Sequence, residues 1–449
     1  MGRALRIPTR LEVRDVARLA APIVVVQVGL MMMGVVDAAI VGRYSAEGLA
    51  GVALGNVYFN SIVTLGHGTL MALDPLISQA VGARDQPAIE RSLQRGLVLC
   101  VVLSIPLALL LLPGELLLTP LRQPAEVVPI AASYARACAV GVLPYLAFIA
   151  LRQTVQAFAL VRPVVVAVVV ANIANVFLDW AMVFGKLGFP EMGAVGSGWA
   201  TTICRWLMAI VLVWGCRHAL VPFLRHWSRE DLAIAPLWRM VRIGFPIGLQ
   251  LWIEFMAFSV ALILVGMLGT IPLAGHQIAL MLAALTYMVP LGVAAAAAVL
   301  VGHAVGRGDP EAARREASAA LACGIGFMSV TAVLLITLAP WLARVFTADP
   351  GILAAAAALI PIAGVFQVVD GIQGVSGGIL RGAGDTRVPM LANLAGYSIL
   401  ALPLGAWLCF TWGWGAPGIW WGLCAGLAAV AALLGWRVHI ILGGELKRM

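Results

Sequence analysis

The chain has 449 residues, of which 62% are hydrophobic and 11% charged, against roughly a quarter charged in an ordinary soluble domain. That balance excludes a water-soluble fold. The net charge of +8 would suit nucleic acid in a soluble protein, but here the basic residues stand between apolar runs, where they orient spans in a bilayer, so no nucleic-acid partner is expected.

A spanning helix needs about 20 apolar residues, and polar punctuation divides the chain into such stretches. In chain order the predicted spans are 18–41, 50–73, 93–112, 128–150, 163–185, 194–215, 243–268, 273–303, 317–338, 355–379, 389–411 and 416–438. Arg3, Arg6, Arg10, Arg14 and Arg18 fall in the first twenty residues, before a long apolar run, without a short apolar segment and small-residue cleavage site, so the first span is read as retained. The 48 glycines and 24 prolines suit helices that pack closely and bend inside lipid. Long apolar runs in place of an alternating pattern disfavour a β-barrel. The expected fold is an all-α integral membrane protein of twelve transmembrane helices.

With the N-terminus inside, most of the 29 basic residues fall on the cytoplasmic side, while only Arg43, Arg122, Arg136, Lys186 and Arg344 fall opposite and Arg205 lies within the sixth span. Both termini are therefore expected in the cytoplasm. Lys186 and Lys447 are the only lysines, an arginine bias that points to a GC-rich bacterial genome and a bacterial inner membrane.

A gapless shift places Pro22 on Pro246, Leu49-Ala50-Gly51 on Leu273-Ala274-Gly275, and Asp85 on Asp309, and a similar one places Gly193-Ala194-Val195-Gly196 on Gly415-Ala416-Pro417-Gly418. The chain is an internal duplication. Six spans per half make it a parallel repeat, as in many transporters. The expected organisation is an N-lobe over 1–215, a cytoplasmic linker over 216–242 carrying Arg225, His226, Arg229, Glu230 and Asp231, and a C-lobe over 243–449.

Seven cysteines occur singly within mostly apolar runs and read as small core residues. There is no HExxH or GxxxxGK[ST] string and no soluble stretch long enough to hydrolyse ATP. An enzyme is not expected, no cofactor is implied, and energy for transport must come from an ion gradient.

Ionisable groups inside spans are costly and need a reason. Asp37 and Asp179 lie at a similar depth, about 6 to 9 Å from the periplasmic ends of their spans. Asn175 is four residues before Asp179 and on the same helix face, and Thr201 enters from the same side. Carboxylate, amide and hydroxyl oxygens suit a hard cation such as Na+, and a carboxyl pair in low dielectric can instead share a proton. Polar packing between helices is the competing reading. Glu254 and Asp370 fall near the middle of the seventh and tenth spans, where a bare carboxylate should be protonated or paired with a cation such as Na+. Gln250, Gln367, Phe255 and Met33 are candidates for lining a substrate cavity, with core packing as the alternative. Asp74, before Pro75, reads as a helix-end acid. His67 and His276 have no metal-ligand spacing.

Five strings, VVDAAIVGRYSAEGLAG from Val35, PLISQAVGARD from Pro75, GFPEMGAVGSGWATT from Gly188, GFPIGLQLWIEF from Gly244 and GILRGAGDTRVP from Gly378, resemble the multidrug and toxic compound extrusion (MATE) family, NorM-like branch. The resemblance implies a V-shaped pair of six-helix lobes around a central cavity, exporting amphipathic, often cationic small molecules in exchange for inward Na+ or H+. It also implies that Asp37, Asn175 and Thr201, with Asp179, form an N-lobe cation or proton site, and that Glu254 and Asp370 form a C-lobe ion or substrate site. A monomer with lobes that rock about the linker is expected. A lipid-linked precursor flippase of related architecture is the alternative; it would need a strongly basic cavity, whereas the charges inside these spans are mainly acidic.

Overall fold

A computed structural model describes residues 8–121, 124–224, 233–444, 446 and 448–449. Arg3, Arg6, Arg122, Arg225, His226, Arg229, Glu230, Asp231 and Lys447 lie outside the described residues. The helices are α1 (Arg10–Tyr44), α2 (Ala46–Leu70), α3 (Leu73–Gly82), α4 (Gln86–Leu111), α5 (Gly114–Leu118), α6 (Val127–Ala139), α7 (Val142–Ala157), α8 (Arg162–Val183) and α9 (Ala194–Gly215). They continue with α10 (Arg217–Leu220), α11 (Ile234–Gly266), α12 (Thr270–Arg307), α13 (Pro310–Thr337), α14 (Ala339–Phe346), α15 (Pro350–Gly382), α16 (Arg387–Asn393), α17 (Leu402–Ala406) and α18 (Ala416–Gly443).

Among the described residues, 11 helices or helix runs are long and apolar enough to cross a membrane, and the pair α6 and α7, bent by 53°, makes a twelfth span. The bend has a local cause. Gly141 separates the two helices, and Pro144 in the next turn has no N–H to continue the ladder and crowds the preceding turn. The eleventh span is irregular for the same kind of reason: π-helical turns over Leu394–Ala401 and Trp407–Thr411 flank α17, which begins at Leu402-Pro403.

The duplication is written into local geometry. Asp85 caps α4 by accepting from the Ala88 N–H at 3.1 Å, and Asp309 caps α13 by accepting from Ala312 at 2.9 Å. Each follows a left-handed residue, Arg84 at φ 57° and Gly308 at φ 69°. Gly193 before α9 (φ 54°, ψ −135°) and Gly415 before α18 (φ 62°, ψ −144°) share a backbone conformation open essentially to glycine alone.

Contacts divide the chain into two compact units, Val25–Gly248 and residues up to Val24 with Leu249–Met449. The divisions fall inside α1 and α11, just after the repeated Pro22 and Pro246, whereas the sequence placed them around a linker over 216–242. Packing explains the difference. In the first unit, Gly244 and Gly248 of α11 lie against the Thr69 and Leu65 carbonyls of α2, with no room for a side chain. In the second, Val24 of α1 fills the space beside Gly292 of α12, and the Val13 carbonyl accepts from Cys323 Sγ at 3.6 Å. The stretch 234–242 is already helical within α11.

Candidate ion-coupling and substrate sites

In the unit Val25–Gly248, three helices bring one residue set together. Asp37 of α1 accepts from Asn175 Nδ2 of α8 at Oδ1 and from Thr201 Oγ1 of α9 at Oδ2, both at 2.9 Å. Asp179, one turn beyond Asn175, neighbours Asp37, Asn175 and Ser197. All are shielded: Asp37 is 2% exposed, Asn175, Asp179 and Ser197 0%, and Thr201 6%.

The saturation of Asp37 contrasts with what surrounds it. Both carboxyl oxygens of Asp179, Oδ1 of Asn175 and Oγ of Ser197 are buried without a partner in hydrogen-bonding geometry. Buried polar atoms are nearly always paired; here Asp179, Asp37, Ser197 and Asn175 lie close enough to interact with one another yet leave these oxygens outside strict hydrogen-bond geometry, which makes the cluster a candidate site. Carboxylate, amide and hydroxyl oxygens are the ligands of a hard cation, and two neighbouring carboxyls can equally hold a proton between them. Ser197 is the member that sequence reasoning missed. Its spacing of four from Thr201 puts it on the same face of α9, the rule that had joined Asn175 to Asp179.

In the other unit, Glu254 of α11 and Asp370 of α15 line a cavity of about 150 Å³ together with Phe258, Tyr287, Met288 and Phe366. Its polar contacts are looser. Glu254 accepts from Asn393 Nδ2 at 3.5 Å, and Asn393 Oδ1 accepts from Gln373 Nε2 at 3.4 Å. In its wall Phe258 and Phe366 meet edge to face, Phe366 meets Trp420 in the same way, and Trp420 Nε1 donates to His276 Nδ1 at 3.1 Å.

None of the four residues suggested for a substrate cavity, Gln250, Gln367, Phe255 and Met33, lines this 150 Å³ cavity. Gln367 donates to the Ala283 carbonyl at 3.2 Å and to Thr286 Oγ1, fixing α15 to α12. Met33 is buried in an apolar cluster with Val26 and Phe148. Gln250 faces Gly377, and neither it nor Phe255 lines the 150 Å³ cavity. Tyr287 and Met288, which do, sit in an apolar run of α12 whose pattern shows no preferred face. Asp74 occupies the first turn of α3, where an acid complements the helix dipole. Tyr145 OH and His67 Nδ1 are 3.1 Å apart.

Twelve candidate spans, a twofold repeat and buried acids in both units define a polytopic membrane transporter. The family pattern described as MatE matches residues 22–181 and 246–407, and the chain belongs to this family, the multidrug and toxic compound extrusion transporters. It is 37% identical over 433 residues to "Multidrug resistance protein NorM" of Burkholderia vietnamiensis, covering 95% of this chain and 93% of that one. To "Multidrug resistance protein PmpM" of Pseudomonas aeruginosa it is 34% identical, covering 97% and 92%. The solved structure of the eukaryotic MATE transporter AtDTX14 superposes with a TM-score of 0.87 at 22% identity over 95% of each chain. That of the Vibrio cholerae MATE transporter VcmN in the bent form gives 0.83 at 18% identity, covering 96% of this chain and 97% of that one. The chain is thus a NorM-like transporter and not an enzyme.

Proposed function

We propose that this chain is a secondary active multidrug efflux antiporter of a bacterial inner membrane, with both termini cytoplasmic. It works as a monomer, exchanging inward Na+ or H+ for outward amphipathic, often cationic compounds by alternating access. The observation that carries the reading is the set of unpaired buried oxygens on Asp179, Asn175 and Ser197 beside Asp37. The drug-resistance names of the relatives support the substrate class, and their bacterial sources support the membrane.

Coupling follows from charge. A proton or Na+ among these oxygens neutralises carboxylates that low dielectric makes costly to leave bare. A cationic drug held in the same protein gains from those carboxylates when they are ionised and loses when they are neutralised. By linkage, each ligand weakens the other to the same extent. The acid-lined cavity at Glu254 and Asp370, walled by Phe258, Phe366 and Tyr287, offers apolar surface and negative charge to such a drug.

Purified protein in liposomes tests this reading. An imposed Na+ or pH gradient should drive a permanently charged dye against the ion flow in the wild type and not in Asp37→Asn. Dye movement of equal rate without any cation gradient would overturn it.

A further inference from the structure

One buried charge has no part in that mechanism. Arg205 of α9 is 8% exposed, a costly position for a guanidinium in a spanning helix. Its guanidinium carbon lies 4.2 Å from the centroid of the Phe59 ring and 5.2 Å from that of Tyr145. Nη1 is buried without a hydrogen-bond partner, pressed against Gly141 at the break between α6 and α7. Two aromatic faces hold this cation by its attraction to their π electrons. No carboxylate is salt-bridged to it among the described residues, so its field is not cancelled at close range.

The helix spacing brings that charge toward the acid cluster. Arg205 is one helical turn beyond Thr201 on the same face of α9, a rise of about 6 Å, and Thr201 donates to Asp37 at 2.9 Å. Tyr134 and Cys138 of α6 interact electrostatically with both Asp37 and Arg205. Cys204 of α9 does so with Asp37, Asp179 and Arg205. The remaining groups nearby are His67 of α2, bonded to Tyr145, and Arg152 of α7, whose Nη1 donates to Gln27 at 3.2 Å.

We infer that Arg205 is a fixed counter-charge, seated on Phe59 and Tyr145 one turn beyond Thr201, that weakens the hold of the Asp37 and Asp179 cluster on its coupling cation so that the cation can leave. The inference rests on the antiport reading. Two carboxyls closing on one monovalent cation in a dry site would retain it too tightly to cycle. A unit positive charge several ångströms away lowers that affinity by on the order of tenfold at the effective dielectric of protein interiors. Arg205 is a positioning residue in this scheme, since it touches neither the cation nor the drug.

The test is direct cation binding to purified, drug-free protein: half-saturation of radioactive Na+ binding and, in Na+-free solution, of proton uptake. Arg205→Met should tighten binding of the coupling cation by on the order of tenfold while slowing drug export. Arg205→Lys should stay near wild type, and Asp179→Asn added to Arg205→Met should move the affinity back toward wild type. The sign separates this role from a packing role, because a disordered site would bind the cation more weakly. Should Arg205→Met fail to fold, Arg205→Gln takes its place under the same prediction. Unchanged or weaker cation binding in the charge-free variant overturns the inference while leaving antiport intact. No saturable Na+ or proton binding by the wild type would overturn the antiport reading and this inference with it.

Discussion

The two acid sites lie in the two repeated halves at positions the repeat does not pair, since Asp37 falls on Ala261 and Glu254 on Leu30, and they differ in closure. Around Asp37 every polar group is shielded, both carboxylate oxygens accept at 2.9 Å, and Asp179 and Ser197 are fully buried. Around Glu254 the hydrogen bonds stretch to 3.4 and 3.5 Å, and the two acids face an aromatic-walled cavity of about 150 Å³. The eleventh span, which supplies Asn393, turns π-helical at the next residue, a form that recurs at functional sites. A sealed oxygen cluster suits a bare ion or proton, whereas a roomier acid-lined cavity suits a hydrated ion or part of a larger cation. The difference suggests that duplication supplied two copies of one scaffold, and that one was refined for the coupling ion and the other for the exported molecule.

The sharpest way to break this contrast is Asp37→Asn. It removes the acceptor charge at the centre of the sealed cluster and should lower ion-driven dye export in proteoliposomes by on the order of 100-fold, the upper range of coupling effects. The double variant Glu254→Gln with Asp370→Asn should cost on the order of tenfold in export, with a larger effect on drug affinity than on cation affinity. Wild-type export by that variant would remove the second site from the account. Thr201→Val keeps the shape and deletes one donor to Asp37, so cation affinity should shift severalfold, about 1 kcal/mol for a hydrogen bond, with drug affinity nearly unchanged. An equal shift in both would erase the division of labour. Gly193→Ala should act on stability alone: forcing a side chain into φ 54°, ψ −135° costs about 1–3 kcal/mol. A lower melting temperature with normal turnover per folded molecule is the expected readout.

Most of the architecture was legible because apolar length and basic punctuation are set by the bilayer, which permits few alternatives. Repeated strings such as those at Asp85 and Asp309 became identical helix caps. The unit boundaries were not legible, because they depend on which helix Gly244, Gly248 and Val24 meet, and composition carries no record of partners. The bend at Gly141 and Pro144 was hidden inside an apolar run read as one span, over 128–150. At the sites, the acids announced themselves through their cost in lipid, and Asn175 and Asp179 through their spacing. Ser197 obeyed the same spacing and was passed over because a lone serine in a membrane helix costs little. Tyr287 and Met288 stayed hidden because α12 is apolar all round. Gln367 looked like cavity lining beside Asp370, but its amide is taken by α12.

The central claim is that one cation at the Asp37 cluster and one cationic drug exclude each other. Its most direct measurement is the equilibrium affinity of the purified protein for a permanently charged dye, followed across Na+ concentration and across pH at constant ionic strength. Affinity should fall as one of the two cations rises, approaching about tenfold per tenfold change in that cation where one cation is displaced per dye, and Asp37→Asn should flatten the dependence. An affinity that ignores both cations in the wild type would contradict the account and return the lipid-linked precursor flippase as the reading to beat.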